Sequence, residues 1–581
     1  MASSVITRAK WLYAVLFIVG GVFSARLFYL QVIRGDSYAV SALSEQQRKY
    51  EIPPERGRIY VREGDGDPVP LVLNQTLKTL YADPRYVSDI PSTAQAIAKI
   101  IGGDVNEYQT LLSQSERYFV ILAKKLNAAK AAAIDELKLN GIGLQDATYR
   151  TYPEGQLAAQ VLGFVNDDGA GQYGIEQFLD AELKGQPGLL KAVTDVRGVP
   201  LTASDDTVLK DALNGADVVL TIDRSVQRRV EQLLAEGVKA ARGKSGSVLV
   251  MDPTSGAVIA MANYPSYNPA KFFEAKDPGV FLNGAAAEPY EVGSVIKPFT
   301  MSAGLNEDKV QVSDTYFDPG YVQVEDRKIE NAGLPAQVTR TMTEIIQKSV
   351  NTGAVHVLKQ LGGGGEVNEA GRNTLYDYFT NHYGFGSKTG IEQAAEAEGS
   401  IFAPSSAEGN NVRYANMTFG QGMNLTMIQV LAGYSALVNG GTYYQPYLVD
   451  ATVERISGQT VTTQPKALRS GVISQETSRQ IRSMMHKVVE LGGGQIARHS
   501  GYNIGGKTGT SQKLAADGTY SDYLEVGTFL GFGAGDTPQY VVMVKVDEPG
   551  VGGYAGTVAA APIFADISNW LIDYYRIPPV R

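Results

Sequence analysis

The sequence predicts an α+β protein whose main sheet joins distant parts of the chain. Three observations lead there. Strand-like runs stand at both ends of a long C-terminal stretch whose middle is rich in helix signals, a loop-punctuated stretch precedes it, and one long apolar run opens the chain.

The apolar run comes first. Arg8 and Lys10 precede an unbroken apolar segment from Trp11 to Gly21 that continues to Ala25, and after Arg26 the segment Leu27–Ile33 keeps the apolar character. A bilayer core needs roughly 20 such residues in a helix. Counting from Trp11 to Ile33 meets that length with Arg26 near an interface, where a long cationic side chain can snorkel. A cleaved signal peptide is the competing reading, since a basic start and a short apolar core fit one. The anchor is favoured because the residues after Ala25 stay amphipathic and helix-prone where a mature N-terminus would turn polar. Arg34, Arg48 and Lys49 beyond the span blunt the charge asymmetry that would set orientation. No second apolar run approaches membrane length, so residues 1–34 are expected to be a short tail and a single-pass anchor.

Residues 35–215 read as a mixed, loop-rich pedestal. Leu71–Leu73 and Leu77–Leu80 are short strand pieces, and Tyr81-Ala82-Asp83-Pro84 is a turn after the second. Asn127–Leu139 has good helix propensity and stops at Asn140-Gly141. Nothing in this region clusters an acid, a base and a nucleophile, so it is expected to be scaffold.

From 216 to 581 the texture changes. Asp217–Ile222 is a strand, and Asp223 is the N-cap of a helix reaching about Ala241. Ser247–Asp252 and Ala257–Ala262 flank Pro253-Thr254-Ser255-Gly256 as a hairpin. Near the end, Val526–Phe532 and Tyr540–Val546 are two more strands with a turn between, followed by a helix over Ala561–Tyr575.

Composition bounds the chemistry. At 581 residues the length suggests roughly four folding units, or fewer if one is large. With 44% hydrophobic and 19% charged residues the chain is globular rather than disordered. The net charge is −9 and no basic stripe is visible, which argues against a nucleic-acid partner. There is no cysteine, and the four histidines (His356, His382, His486, His499) show no metal-binding spacing, so no metal and no cofactor are expected.

Glu291-Val292-Gly293-Ser294-Val295-Ile296-Lys297-Pro298 is the most informative stretch. Residues three apart on a helix share a face, so Lys297 can reach the Ser294 hydroxyl. A serine hydroxyl is a poor nucleophile until a base takes its proton, and a lysine serves when burial or a neighbouring cation lowers its pKa. Pro298 belongs near a helix start, which puts Ser294 at a helix N-terminus whose free N–H groups can hold an oxyanion. The spacing alone is weak: about one or two Ser-x-x-Lys matches are expected by chance in a chain this long. Two later stretches add to it. Ser349-Val350-Asn351 follows the helix-like Met342–Lys348; its hydroxyl can relay a proton, and its amide can hold a substrate carbonyl or orient a lysine. Gly505-Gly506-Lys507-Thr508-Gly509-Thr510 precedes the last strands; its small residues admit a second backbone, and Lys507 with the threonine hydroxyls can bind a carboxylate. Each has a decoy, Ser266-Tyr267-Asn268 and Lys388-Thr389-Gly390, and spacing alone does not choose between them.

In these motifs the sequence resembles the class B penicillin-binding proteins, the monofunctional peptidoglycan D,D-transpeptidases; the motif set itself is a known signature of that superfamily. The likeness extends over nearly the whole chain. It includes Arg56-Gly57-Arg58-Ile59, Arg150–Gly155 and Gly174-Ile175-Glu176, then Leu220–Asp223, Phe419-Gly420-Gln421-Gly422 and Ala560–Phe564. Val292 stands where relatives commonly carry Pro, and Val350 where some carry Asp; neither removes a reacting group. Gly362–Gly365 reads as an inserted loop tip.

The resemblance implies a penicillin-recognising serine transpeptidase domain, an antiparallel sheet with helices, preceded by an elongated membrane-proximal pedestal and one transmembrane helix. Ser294 would attack the penultimate D-Ala–D-Ala carbonyl of a peptidoglycan stem peptide with Lys297 as base, and Ser349 with Lys297 would pass the proton to the leaving D-Ala. An amine from a neighbouring stem would then resolve the acyl-enzyme. Asn351, Lys507, Thr508, Gly509 and Thr510 would bind the donor, and the N–H groups of Ser294 and Thr510 would form the oxyanion hole. β-Lactam antibiotics would acylate the same serine. The glycosyltransferase domain of bifunctional relatives is not expected, so a membrane-embedded glycan polymerase and a division or elongation complex are the implied partners, with the catalytic domain outside the cytoplasm. Two other readings stay open: a D,D-carboxypeptidase or β-lactam-hydrolysing enzyme that uses water, and a non-catalytic penicillin-binding scaffold or sensor.

Overall fold

The computed structural model describes residues 2–34, 47–193, 207–455, 457–514, 519–533 and 537–580. Parts of the expected pedestal, 35–46 and 194–206, and residues 534–536 of the turn expected between the last two strands lie outside these. The chain packs as two units, one of residues 1–56 and 184–215, the other of 57–183 and 216–581.

In the first unit, Ala2–Phe28 is an α-helix continued by a π-turn over Tyr29–Ile33. Lys10–Ile33, 24 residues with mean hydropathy 1.8 and none of it buried, is long and apolar enough to cross a membrane. A three-stranded antiparallel sheet completes the unit, with Gly188–Val193 between Gln47–Ile52 and Thr207–Lys210.

The second unit holds two large sheets. In one, Asp217–Asp223 pairs in parallel with Ile59–Arg62 and antiparallel with Val449–Val453, so segments from before and after residue 215 share a sheet. The two strand pieces expected around Leu71 and Leu77 form one strand of 14 residues, Val69–Ala82. Their polar break, Asn74-Gln75-Thr76, stays extended because it pairs with Thr148–Arg150 of the strand Ile142–Thr151; ladder partners override local polarity. The helix expected to Leu139 is shorter, Ala128–Glu136, because Lys138 turns left-handed (φ +46°) before Asn140 is reached. Three stretches noted in the sequence meet at Arg150. Its guanidinium donates to Glu176 at 2.6 Å, to the Gly57 carbonyl at 2.6 Å and to Asn74 at 2.9 Å.

The other sheet is wholly antiparallel, in the order Val258–Tyr264, Ser245–Met251, Tyr540–Asp547, Tyr520–Gly533, Gly505–Leu514. Strand side chains alternate between its two faces. Val542, Val544 and Val546 pack on one side with Val230 and Leu234 of the helix Arg224–Ala240 and Phe564 and Leu571 of the helix Ala561–Tyr574. Val541 and Met543 face the other core, with Phe299, Ile345, Val355, Leu431 and Met485. Asp223 caps the helix Arg224–Ala240 through the Val226 N–H at 3.0 Å and accepts from the Tyr574 hydroxyl, so one carboxylate links both back-face helices.

Candidate active site

Ser294 lies in a 3-10 turn, Gly293–Ile296, that runs into the α-helix Lys297–Asn306 with Pro298 in its first turn. In a 3-10 turn, side chains three apart eclipse. That local geometry brings Lys297 Nζ to 2.9 Å from Ser294 Oγ. Gly293 has φ +66° and donates its N–H to the Gly420 carbonyl at 3.1 Å. A Cβ on Gly420 would sit 2.0 Å from the Gly293 carbonyl oxygen, which is why the Phe419–Gly422 turn needs glycine there.

Lys297 is 1% exposed. Besides Ser294 Oγ, its Nζ lies 2.6 Å from the Ser349 carbonyl, 3.1 Å from Ser349 Oγ and 2.7 Å from Asn351 Oδ1. None of these partners is a carboxylate. Burial first, and then the charge of Lys507, holds its pKa well below the usual lysine value. Both favour the neutral amine, whose lone pair can take a hydroxyl proton.

Ser349 follows the helix Met342–Gln347 and precedes Asn351–Leu361. Its backbone is left-handed (φ +59°), a conformation costing about 1–3 kcal/mol outside glycine. The kink places Ser349 Oγ between two amines, 3.1 Å from Lys297 Nζ and 2.9 Å from Lys507 Nζ. Asn351 is fixed by its own Nδ2, which donates to the Glu330 carbonyl at 3.0 Å. Behind it, the Thr352 hydroxyl reaches Asp318 at 2.8 Å, and Asp318 makes a buried ion pair with Arg340 at 2.7 Å and accepts from Asn331. Sequence reasoning missed Asp318, Asn331, Arg340 and Thr352; they come from separate segments, and only Thr352 borders a motif.

Lys507, fully buried, sits on the edge strand Gly505–Leu514, which among the described residues pairs with Tyr520–Gly533 alone. Burial pushes its pKa down to about 7. Its Nζ also contacts the Thr508 carbonyl at 3.0 Å. Thr508 and Thr510 are partly exposed along the same edge. The Thr510 hydroxyl oxygen accepts the Gly556 N–H at 3.1 Å, which leaves its proton free to donate to a ligand. A Cβ on Gly509 would meet the Val292 carbonyl at 2.8 Å, and one on Gly293 would meet the Thr510 carbonyl at the same distance. The Gly293–Ile296 turn therefore lies directly against the edge strand.

All five polar side chains singled out in the sequence (Ser294, Lys297, Ser349, Asn351, Lys507) thus meet in one cluster, with Thr508–Thr510 beside it. The decoys do not join it. Both the N–H and the hydroxyl of Thr389 bond Glu396 at 2.6 Å, and the Gly390 N–H reaches the other oxygen of that carboxylate at 3.1 Å, which closes the turn. Asn268 caps the short helix Pro269–Glu274. Chemically, the cluster offers a hydroxyl with an amine base in contact, a second hydroxyl bridging two amines, and an open strand edge rimmed by hydroxyls.

Comparison with known proteins agrees with this arrangement. A family model described as "Penicillin binding protein transpeptidase domain" matches residues 246–569, and one described as "Penicillin-binding Protein dimerisation domain" matches 51–220. Stage V sporulation protein D of Bacillus subtilis is 34% identical over 587 aligned positions, covering 99% of this chain and 87% of that protein. The probable peptidoglycan D,D-transpeptidase PenA of Neisseria gonorrhoeae is 28% identical over 560, covering 96% and 91%. Among solved structures, penicillin-binding protein 3 of Mycobacterium tuberculosis in complex with aztreonam matches with a TM-score of 0.70 at 25% identity, covering 92% of this chain and 98% of that one.

Proposed function

This chain belongs to the class B penicillin-binding proteins, peptidoglycan D,D-transpeptidases that β-lactams acylate, and we propose that its reaction runs through an ester on Ser294. One observation carries the proposal: the Lys297 amine, buried and without a carboxylate among its hydrogen bonds, lies 2.9 Å from the Ser294 hydroxyl.

In the first half-reaction Lys297 Nζ takes the Ser294 proton as Oγ attacks the carbonyl between the two terminal D-alanines. The tetrahedral oxyanion is held by the N–H groups of Ser294 and Thr510, a role supported by the close packing of Gly293 on the Thr510 backbone. The C–N bond then breaks. The proton on Lys297 reaches the leaving amine by way of Ser349 Oγ, which touches both lysines. In the second half-reaction an amine of a neighbouring stem attacks the ester. Its proton passes back along the same groups to Ser294 Oγ, leaving a cross-link and the free enzyme. Lys507 keeps the potential at Lys297 positive, and Thr508 and Thr510 hold the donor carboxylate across Gly509, where a side chain would part the strand from the nucleophile turn. Asn351 orients Lys297 and presents its amide to the donor.

Residues 1–34 anchor the protein in the cell membrane, 35–215 form a pedestal, and 216–581 carry the chemistry outside the cytoplasm beside a separate membrane-embedded glycan polymerase and its division or elongation complex. Labelling with a fluorescent penicillin tests the central role. Wild type should label and Ser294→Ala should not, whereas equal labelling of both removes Ser294 as the nucleophile. With a stem-peptide substrate the expected product is a cross-linked dimer; free D-Ala without dimer would make the enzyme a carboxypeptidase.

A further inference from the structure

Three residues before Ser294, the Glu291 carboxylate lies where three segments converge. Its Oε1 accepts the Gly422 N–H at 2.7 Å and the Tyr520 hydroxyl at 2.9 Å. Gly422 belongs to the turn whose Gly420 carbonyl holds the Gly293 N–H. Tyr520 stands opposite Leu514 in the hairpin that carries Lys507–Thr510. One oxygen thus ties the glycine turn and the catalytic hairpin to the nucleophile turn. The other, Oε2, is buried with no hydrogen-bond partner among the described residues. A half-buried carboxylate with one enclosed oxygen left unpaired is a cost to the fold, which argues for a use other than stability. Burial pushes the Glu291 carboxyl above its usual pKa, against the pull of the Gly422 and Tyr520 bonds. Glu291, Asn424 and Tyr520 also line both of two cavities, of about 780 and 550 Å³, so the Glu291–Tyr520 bond stands in the wall they share.

We propose that Glu291 is a positioning residue for acylation, a clamp that sets the spacing between the nucleophile turn and the edge strand and so aligns the N–H groups of Ser294 and Thr510. The clamp rests on Ser294 being the acylated residue. Removing the carboxylate leaves the Gly422 N–H and the Tyr520 hydroxyl without their acceptor and lets hairpin and turn drift apart. Misplacement by about 1 Å is enough to cost on the order of a hundredfold in rate. The side chains of Thr508, Thr510 and Asn351, which bind the donor in this reading, are all kept.

The test is stopped-flow acylation by a chromogenic or fluorescent penicillin on the full chain, separating the affinity before acylation from the acylation rate constant, with thermal melting alongside. Glu291→Ala should lower the rate constant at least about tenfold with affinity unchanged. Glu291→Gln keeps an acceptor oxygen in place of Oε1 and should stay within about threefold of wild type. Tyr520→Phe, which keeps the ring, should fall between them and serves if Glu291→Ala does not fold. A wild-type rate in Glu291→Ala, a Gln variant as slow as Ala, or a wild-type rate in Tyr520→Phe would each overturn the clamp. A wild-type protein that never acylates would instead sink the reading on which it rests.

Discussion

Two regions of this molecule bury charge, and they do it in opposite ways. In the second unit, Arg150 and Glu176 are 5% and 0% exposed and meet at 2.6 Å, cation against anion. In the candidate active site Lys297 and Lys507 are 1% and 0% exposed, and both contact one serine hydroxyl. In the first pair each charge offsets the other's lost hydration. The second has no offset, so burial lowers both lysine pKa values. Paired burial makes a strut; unpaired burial of like charges favours neutral amines. Asp318–Arg340 shows the strut again one layer behind Asn351, holding the segment on which Asn351 rides.

Breaking each region should have opposite signatures. Lys297→Met removes the base and one of two like charges. Acylation by a penicillin should fall by at least about a thousandfold, while the melting temperature stays at or above wild type, since a neutral side chain replaces a desolvated amine. Glu176→Gln leaves Arg150 buried without its anion. Chemical denaturation should show a loss of about 3–5 kcal/mol, with the acylation rate of the folded fraction unchanged. A Glu176 variant that melts normally would show that the strut is not one.

Lys507→Met has a smaller, pH-dependent effect. Removing its charge relieves one of the two causes that depress Lys297, so the acid limb of the acylation pH profile should move to higher pH. Stability should respond as well. Folded Lys507 loses its proton near pH 7, whereas an ordinary lysine keeps it to about 10.5. Between those values the unfolded chain binds the extra proton, so wild-type stability rises with pH across that window. The slope should flatten in Lys507→Met. Smallest of all, Asp135→Asn breaks an exposed pair with Lys138, both more than half exposed, and should change stability by less than about 0.5 kcal/mol.

Local patterns were legible wherever one segment decides its own conformation. The strands at 217–223, 245–251 and 540–547 and the helix capped by Asp223 follow from short apolar runs, turn residues and a capping side chain. The long strand Val69–Ala82 was not legible, because its polar middle is extended only by its partner at 148–150. The same division runs through the site. Ser294 and Lys297 declare themselves by spacing, since a single turn brings them together. The choice of Lys507 over Lys388 needed a family resemblance, as both precede Thr-Gly. In the fold the difference is a carboxylate: Glu396 ties off the Thr389–Gly390 turn, while Lys507 lies on an open edge facing Ser349.

By itself, then, the sequence determined the apolar opening helix, the α+β pattern and the Ser294–Lys297 contact, all products of contacts within a few residues. Tertiary structure alone decided that Lys297 loses its proton easily, that Ser349 bridges two lysines, and that Glu291 sits at a crossing of three segments. Those properties depend on removing water and on bringing together groups more than fifty residues apart, from Ser294 to Ser349 to Lys507, and neither is written in the spacing of any one stretch.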